Sequence, residues 1–400
     1  HIANTATVLL DGSGAECGRC VVDHNEVIAG LIVDGIPQGA GTYGSSDSPA
    51  ANTNDAYFGG AGMLIIPSPI VKDNNTVDLN LGASWVGGVV PGTMEVAVWN
   101  SNVTGPNTTV PGSDLGFLGI RIQNPGGLVT VNAGNTITIG EAGIDMTTAS
   151  TNLTLNCSVD VGGAQTWNTA QGSILTVNGA VTGSGTVKKS GTGTNILTGA
   201  NSFASDFHLS EGYLDLASAA GVAIPRRIVN SGWIYISSAN NQFNTNTVMT
   251  FPTDGVPGGA RWGVMELNGR TQSIAGLTGG SGGDTGCGYI ENNQNRIGGS
   301  AGKIIINTTN SGDDYIYAGA IRDQTGALAL EKTGAGTQTL ANVTTYSGGT
   351  VIRGGRLKLA YPSLEDPASL DGLVVHLDAT TIDQTNGSSL SSWPNVAAGG

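Results

Sequence analysis

The residues in this chain best suited to chemistry are its cysteines. Cys17 and Cys20 form C-G-R-C, while Cys157 and Cys287 stand alone. A C-x-x-C pair is either a redox couple or half of a zinc site. A redox couple wants a helix beginning at the first cysteine, and this neighbourhood reads as strand and turn. A zinc site wants a second ligand pair at similar spacing, and the sequence has none. The reading left is a small loop disulfide between Cys17 and Cys20, which suits an oxidising, extracellular setting. A second bridge, Cys157–Cys287, is expected only if the fold brings those two positions together.

The acids and histidines form no catalytic constellation. Asp313 and Asp314 fall in SGDDYIYAG, a solvated turn before a strand. His24, His208 and His376 sit in strand-like contexts without a partner at motif spacing. There is no G-x-S-x-G, no H-E-x-x-H and no phosphate loop, so no enzyme activity and no catalytic residue are expected. Turn Asp and Asn oxygens leave room for calcium. No D-x-D/N-x-D/N-G loop or glycine–aspartate nonapeptide array is present, however, and no metal or cofactor is assigned. The sequons at Asn107 and Asn342 are what chance produces in an Asn- and Thr-rich chain.

Composition narrows the partners. The formal net charge is −14, with only 16 Lys and Arg among 400 residues, spread thinly. Neutralising phosphates needs clustered cations, so nucleic acid is excluded as a partner, and an anionic membrane surface with it. No stretch approaches the 18 or so apolar residues of a membrane span. Glycine is abundant, at 64 residues, but without the G-X-Y period of collagen. Hydrophobic residues reach 39% and recur at strand period, which argues for a packed fold over disorder.

The elements that would position any site are short strands. Residues 330–360 break into three β-prone pieces, Thr337–Leu340, Thr350–Ile352 and Arg356–Leu359, cut apart by Gly and Asn. Brief strands with a sharp turn after each suit a coil whose rungs stack. Residues 187–218 carry the same pattern. With a shift of 143, Lys189 meets Lys332, Gly191 meets Gly334, Gly193 meets Gly336 and Gly212 meets Gly355. Leu197 likewise meets Leu340, Phe203 meets Tyr346, Leu214 meets Leu357, and Leu216 meets Leu359. Matching glycines imply matching backbone bends, and the leucines imply one buried stripe.

The shared pattern, K-S/T-G-x-G-T followed by spaced L, F/Y, G-x-L-x-L, resembles the autotransporter-associated β-strand repeat of giant secreted bacterial surface proteins. That resemblance implies a right-handed parallel β-helix with a structural or adhesive role, secretion to the cell surface, and no family-wide catalytic residues. The fold class expected is therefore all-β, a parallel solenoid with short irregular β modules at both ends.

Three regions follow. Residues 1–70 read as the tail of a preceding module. Residues 76–360 read as the solenoid, with Trp85 and Trp99 plugging its open end rather than offering sugar platforms. Residues 361–400 resemble the opening of a concanavalin-like or laminin-G-like jelly roll. The chain therefore reads as a processed piece of a longer secreted precursor. A solenoid leaves strand edges at its ends, and incomplete modules at both termini could cover them only by borrowing strands. The function expected is a surface filament subunit, a homopolymer joined head to tail through its chain ends by β-augmentation, with residues 361–400 as the donated segment. The alternative is a stalk or adhesin segment that binds extracellular glycans or matrix. A polysaccharide-active β-helix enzyme is the third reading.

Overall fold

A computed structural model describes residues 2, 6–12, 19–219, 221–254, 262–281, 287–293, 301–342 and 344–360. Expectations for Cys17, His376 and residues 361–400 fall outside that set. Among the described residues the chain is all strand apart from one 3-10 turn at Gly82–Ser84. No helix there is long and apolar enough to cross a membrane.

From Ser68–Val71 onward the strands stack in parallel into a solenoid of about fourteen turns. The long sheet runs from Ser68–Val71 through Glu95–Asn100, Leu115–Gln123 and Thr136–Met146 to Arg356–Leu359. A ten-stranded sheet, from Asn107–Thr109 to Ala320–Asp323, forms a second face. A four-stranded sheet, from Thr271–Ile274 to Thr350–Ile352, is added towards the C-terminal end. Side chains alternate inward and outward, as in Gln165–Thr169, where Gln165, Trp167 and Thr169 are buried and Thr166 and Asn168 face out. The inward residues make one continuous core from Leu79 to Leu340. Stacked parallel strands share every inward position with the rung before and after, so the core grows by addition and never has to close.

The repeat copies show how a rung is built. Val187–Ser190 pairs with Phe207–Leu209, and Thr194–Leu197 pairs with Tyr213–Leu216. In the second copy Leu328–Thr333 pairs with Thr350–Ile352, and Thr337–Leu340 with Arg356–Leu359. Each copy is thus two strands on each of two faces. The two copies do not occupy the same faces. The strand carrying Lys189 lies in the long sheet, whereas the strand carrying Lys332 lies in the four-stranded one. Between them, insertions lengthen the rungs: Leu214 pairs with Ile234, but Ile234 pairs with Met265.

The N-terminal end of the solenoid is plugged by aromatics. Trp85 meets Trp99 edge to face at 5.6 Å and Phe117 at 6.1 Å, and its indole N–H donates to the Leu79 carbonyl at 2.8 Å. Both tryptophans are buried, so neither is a sugar platform. The preceding module has its own core, including Leu31, Tyr43, Phe58 and Leu64. Its strand Met63–Ile66 is buried on both faces. Leu64 and Ile66 point into that core, while Met63 and Ile65, with Val27, pack on Val96, Val98 and Leu118 of the solenoid. The module therefore lies against the outer face of the first rungs of the long sheet.

Candidate functional site

The repeat residues singled out in the sequence hold turns and core. Gly191 and Gly334 both have φ +73, in the left-handed region, and a Cβ on either would come within 2.3 Å of a carbonyl of the previous rung. Gly212 and Gly355 turn the same way, at φ +71 and +64. Gly193 and Gly336 have ordinary φ but abut carbonyls of Ala170 and Asn310, so a side chain has no room there. Leu197, Leu214, Leu216 and Leu340 are fully buried. Leu357 is only partly buried, and Leu359, expected in the same stripe, is 57% exposed. Both belong to the last described rung, where no further strand among the described residues covers them.

A feature the alternation pattern missed is the repeat lysine. Lys189 and Lys332 point inward and are fully buried. The Lys189 ammonium donates to the Ser190 carbonyl at 2.8 Å and to that of Gly191; Lys332 donates to the carbonyls of Thr333 and Gly334. Burial pushes Lys189 down to about 8, against a smaller upward pull from Glu211. Lys72 in the first rung does the same without the motif, bonding the carbonyls of Asp73 and Asn75. The lysine of K-S/T-G-x-G thus satisfies carbonyls that the glycine turn directs away from the strand ladders. Lysine is almost never fully buried unless paired, so its residue type gave no signal of this role.

The cysteine expectation needs correction. Cys157 and Cys287 are free and buried. They adjoin the third and ninth strands of the ten-stranded sheet. Six strand steps of about 4.8 Å separate them by roughly 29 Å, against the 7 Å or so a disulfide spans. Cys287 instead donates to the Pro252 carbonyl at 2.8 Å, and burial pushes the Cys157 thiol up to about 11. Cys20 lies in a strand paired with Phe58–Gly59. His24 is exposed in a bend, not a strand. Asp313 closes the turn at 311–312, its N–H donating to the Asn310 carbonyl, and Asp314 begins the strand Asp314–Tyr317.

A cleft of about 870 Å³ lies between the N-terminal module and the outer face of the long sheet. One wall is aliphatic, presenting Ala29, Pro67 and Pro69 in front of the buried Ile28 and Ile66. The floor is polar and laid out by the register. One outward column runs Thr166, Lys188, His208, one residue per rung. The next runs Arg121, Asp145, Asn168. Arg121 pairs with Asp145 at 3.0 Å, and Asp145 also accepts from the Thr147 N–H and hydroxyl. Glu141 sits where module and solenoid meet. Burial raises its carboxyl pKa, and the neighbouring Glu26 raises it further. His208 is lowered, first by burial, with Asp206 opposing and Arg227 and Lys188 adding.

No sequence motif could have found this cleft. Its floor residues are spaced by the rung length, 20 to 24 positions apart, and its wall comes from another module. Chemically the cleft offers hydroxyls, amides and one cation, Lys188, that no carboxylate pairs with among the described residues.

Comparison with known families agrees with the repeat. The model described as passenger-associated-transport-repeat matches twice, at residues 187–216 and 330–359. No curated protein and no solved structure matches the chain.

Proposed function

From two passenger-associated transport repeats set in one parallel β-solenoid, we propose that this chain is a structural stalk, a rigid spacer displayed outside the cell. The repeat family implies secretion or surface display and a structural or adhesive role. The observation that carries the reading is the uninterrupted core from Leu79 to Leu340. About fourteen turns at about 4.8 Å each give a rod of roughly 65 Å whose every rung is locked to the next. Small-angle scattering of the purified chain tests it. A monomeric rod is the expected result, and a compact particle overturns the proposal.

A specific observation favours filament assembly as a second reading. The last described rung leaves Val351, Ile352 and Leu359 exposed on its terminal strands. Uncovered strand edges with apolar side chains invite pairing. The plugged N-terminal end, with Trp85 buried against Trp99, makes simple rung-on-rung stacking at that end the less favoured joint. Negative-stain microscopy with light scattering decides. Fibres that disappear on removing residues 361–400, and in Ile352→Glu, support the filament; uniform monomers remove it. A stalk also presents lateral surface for adhesion to glycans, and the cleft beside the N-terminal module supports that role.

A further inference from the structure

We propose that the cleft between the N-terminal module and the long sheet binds an acidic oligosaccharide along the solenoid axis, with Lys188 taking its carboxylate. This rests on the adhesive side of the stalk reading and not on filament assembly.

The charge pattern points to an anion. The chain is strongly acidic overall, yet two acids on and beside the floor are already matched, and burial with the neighbouring Glu26 pushes the third, Glu141 at the module joint, towards its neutral form. Arg121 holds Asp145 at 3.0 Å, and Arg227 holds Asp206 at 2.8 Å just beyond His208. Lys188 is left as an exposed cation with His208 on the next rung and Thr166 on the one before. An anionic group reaching Lys188 therefore gains a charge-assisted bond without displacing an existing pair.

The hydrogen-bonding groups point to a sugar. Thr166, Asn168 and Thr186 offer hydroxyls and an amide that both donate and accept, which suits a polyhydroxylated ligand. The floor is a sheet face whose backbone is already bonded along the stack, so a peptide finds no free strand edge there. The aliphatic wall of Ala29, Pro67 and Pro69 suits the C–H faces of sugar rings. The register repeats one floor residue per rung, which favours a ligand that also repeats.

The outward aromatics of the second sheet offer no comparable site. Tyr213 and Tyr235 are stacked at 14°, and Trp233 meets Trp262 edge to face. These rings are committed to one another.

The test is calorimetric titration of the whole chain with tetramers of galacturonate and mannuronate, with cellotetraose as the neutral probe and poly-glutamate as the peptide probe. The uronates bind the wild type, and Lys188→Gln weakens them by about tenfold or more, the effect of losing one bond to a charged group. Thr166→Trp, which fills the floor from an outward position, abolishes binding, while Lys358→Gln on the last rung leaves it unchanged. Circular dichroism confirms that each variant is folded. Binding that ignores Lys188→Gln overturns the proposal, as does binding of no uronate. Equal binding of cellotetraose keeps an adhesive role but removes the acidic ligand. Tighter, Lys188-dependent binding of poly-glutamate makes the partner an acidic peptide and overturns the proposal.

Discussion

The Lys189 ammonium donates to the carbonyl of Gly191, the left-handed glycine two residues further on in its own turn. Lys332 and Gly334 repeat the relationship at 3.3 Å. Removing the ammonium leaves buried turn carbonyls without their donor. Lys189→Met is expected to cost about 1–3 kcal/mol, read from equilibrium urea unfolding. Lys358→Met, on the exposed last strand, is the neutral comparison.

The same lysine sets a pH dependence. Its folded value of about 8 lies below its ordinary 10.5, so between those values the unfolded chain binds more protons. Its stability contribution is present above about 10.5 and lost as pH falls through about 8. Urea midpoints are expected to rise across that window, as far as this residue decides them. Lys189→Met loses that part of the rise, and Lys72, also near 8, keeps its own share. A midpoint difference between variant and wild type that stays constant from pH 7.5 to 10.5 contradicts the assignment.

Two glycines separate strain from crowding. Gly349 has φ +81 with open space around it, so Gly349→Ala should cost only the left-handed penalty of about 1–2 kcal/mol. Gly334 adds a Cβ that meets the Thr308 carbonyl at 2.2 Å, and backbone cannot rotate away. Gly334→Ala should therefore cost about 2–5 kcal/mol. Thermal unfolding of the pair measures the difference.

Leu214 and Leu357 are equivalent in the repeat, as are Leu216 and Leu359, yet burial distinguishes them. Leu214→Ala is expected to cost about 2–5 kcal/mol, as a cavity in a closed core. Leu359→Ala is expected within about 0.5 kcal/mol of wild type. If Leu359→Ala proves as costly as Leu214→Ala, that end of the solenoid is covered in solution.

Glu141 sits at the joint between module and solenoid. Its carboxyl is raised by burial and then by Glu26. A raised carboxyl contributes stability that is full below its unfolded value and lost as pH rises through the folded one. Glu141→Gln is neutral at every pH, so it should melt above wild type at pH 7.5 and lose that advantage near pH 4. The Tm difference at the two pH values checks this.

The amino-acid sequence determined the local grammar of this protein. Strands such as Thr337–Leu340 and Arg356–Leu359 could be read to the residue, because alternation and glycine punctuation act over a few neighbours. The left-handed bends at Gly191, Gly212, Gly334 and Gly355 were legible for the same reason: only glycine adopts them without strain. Tertiary structure decided what depends on stacking. It buried Lys189 and Lys332, exposed Leu359, separated Cys157 from Cys287 by six strand steps, and set Lys188 beside His208. Rung length fixes these relationships, and insertions between residues 237 and 301 change it from turn to turn. The cleft needed one thing more, a separate module docked through Met63 and Ile65 onto Val96 and Val98. Apolar contact carries no directional code, so no spacing along the chain announces where two such faces meet.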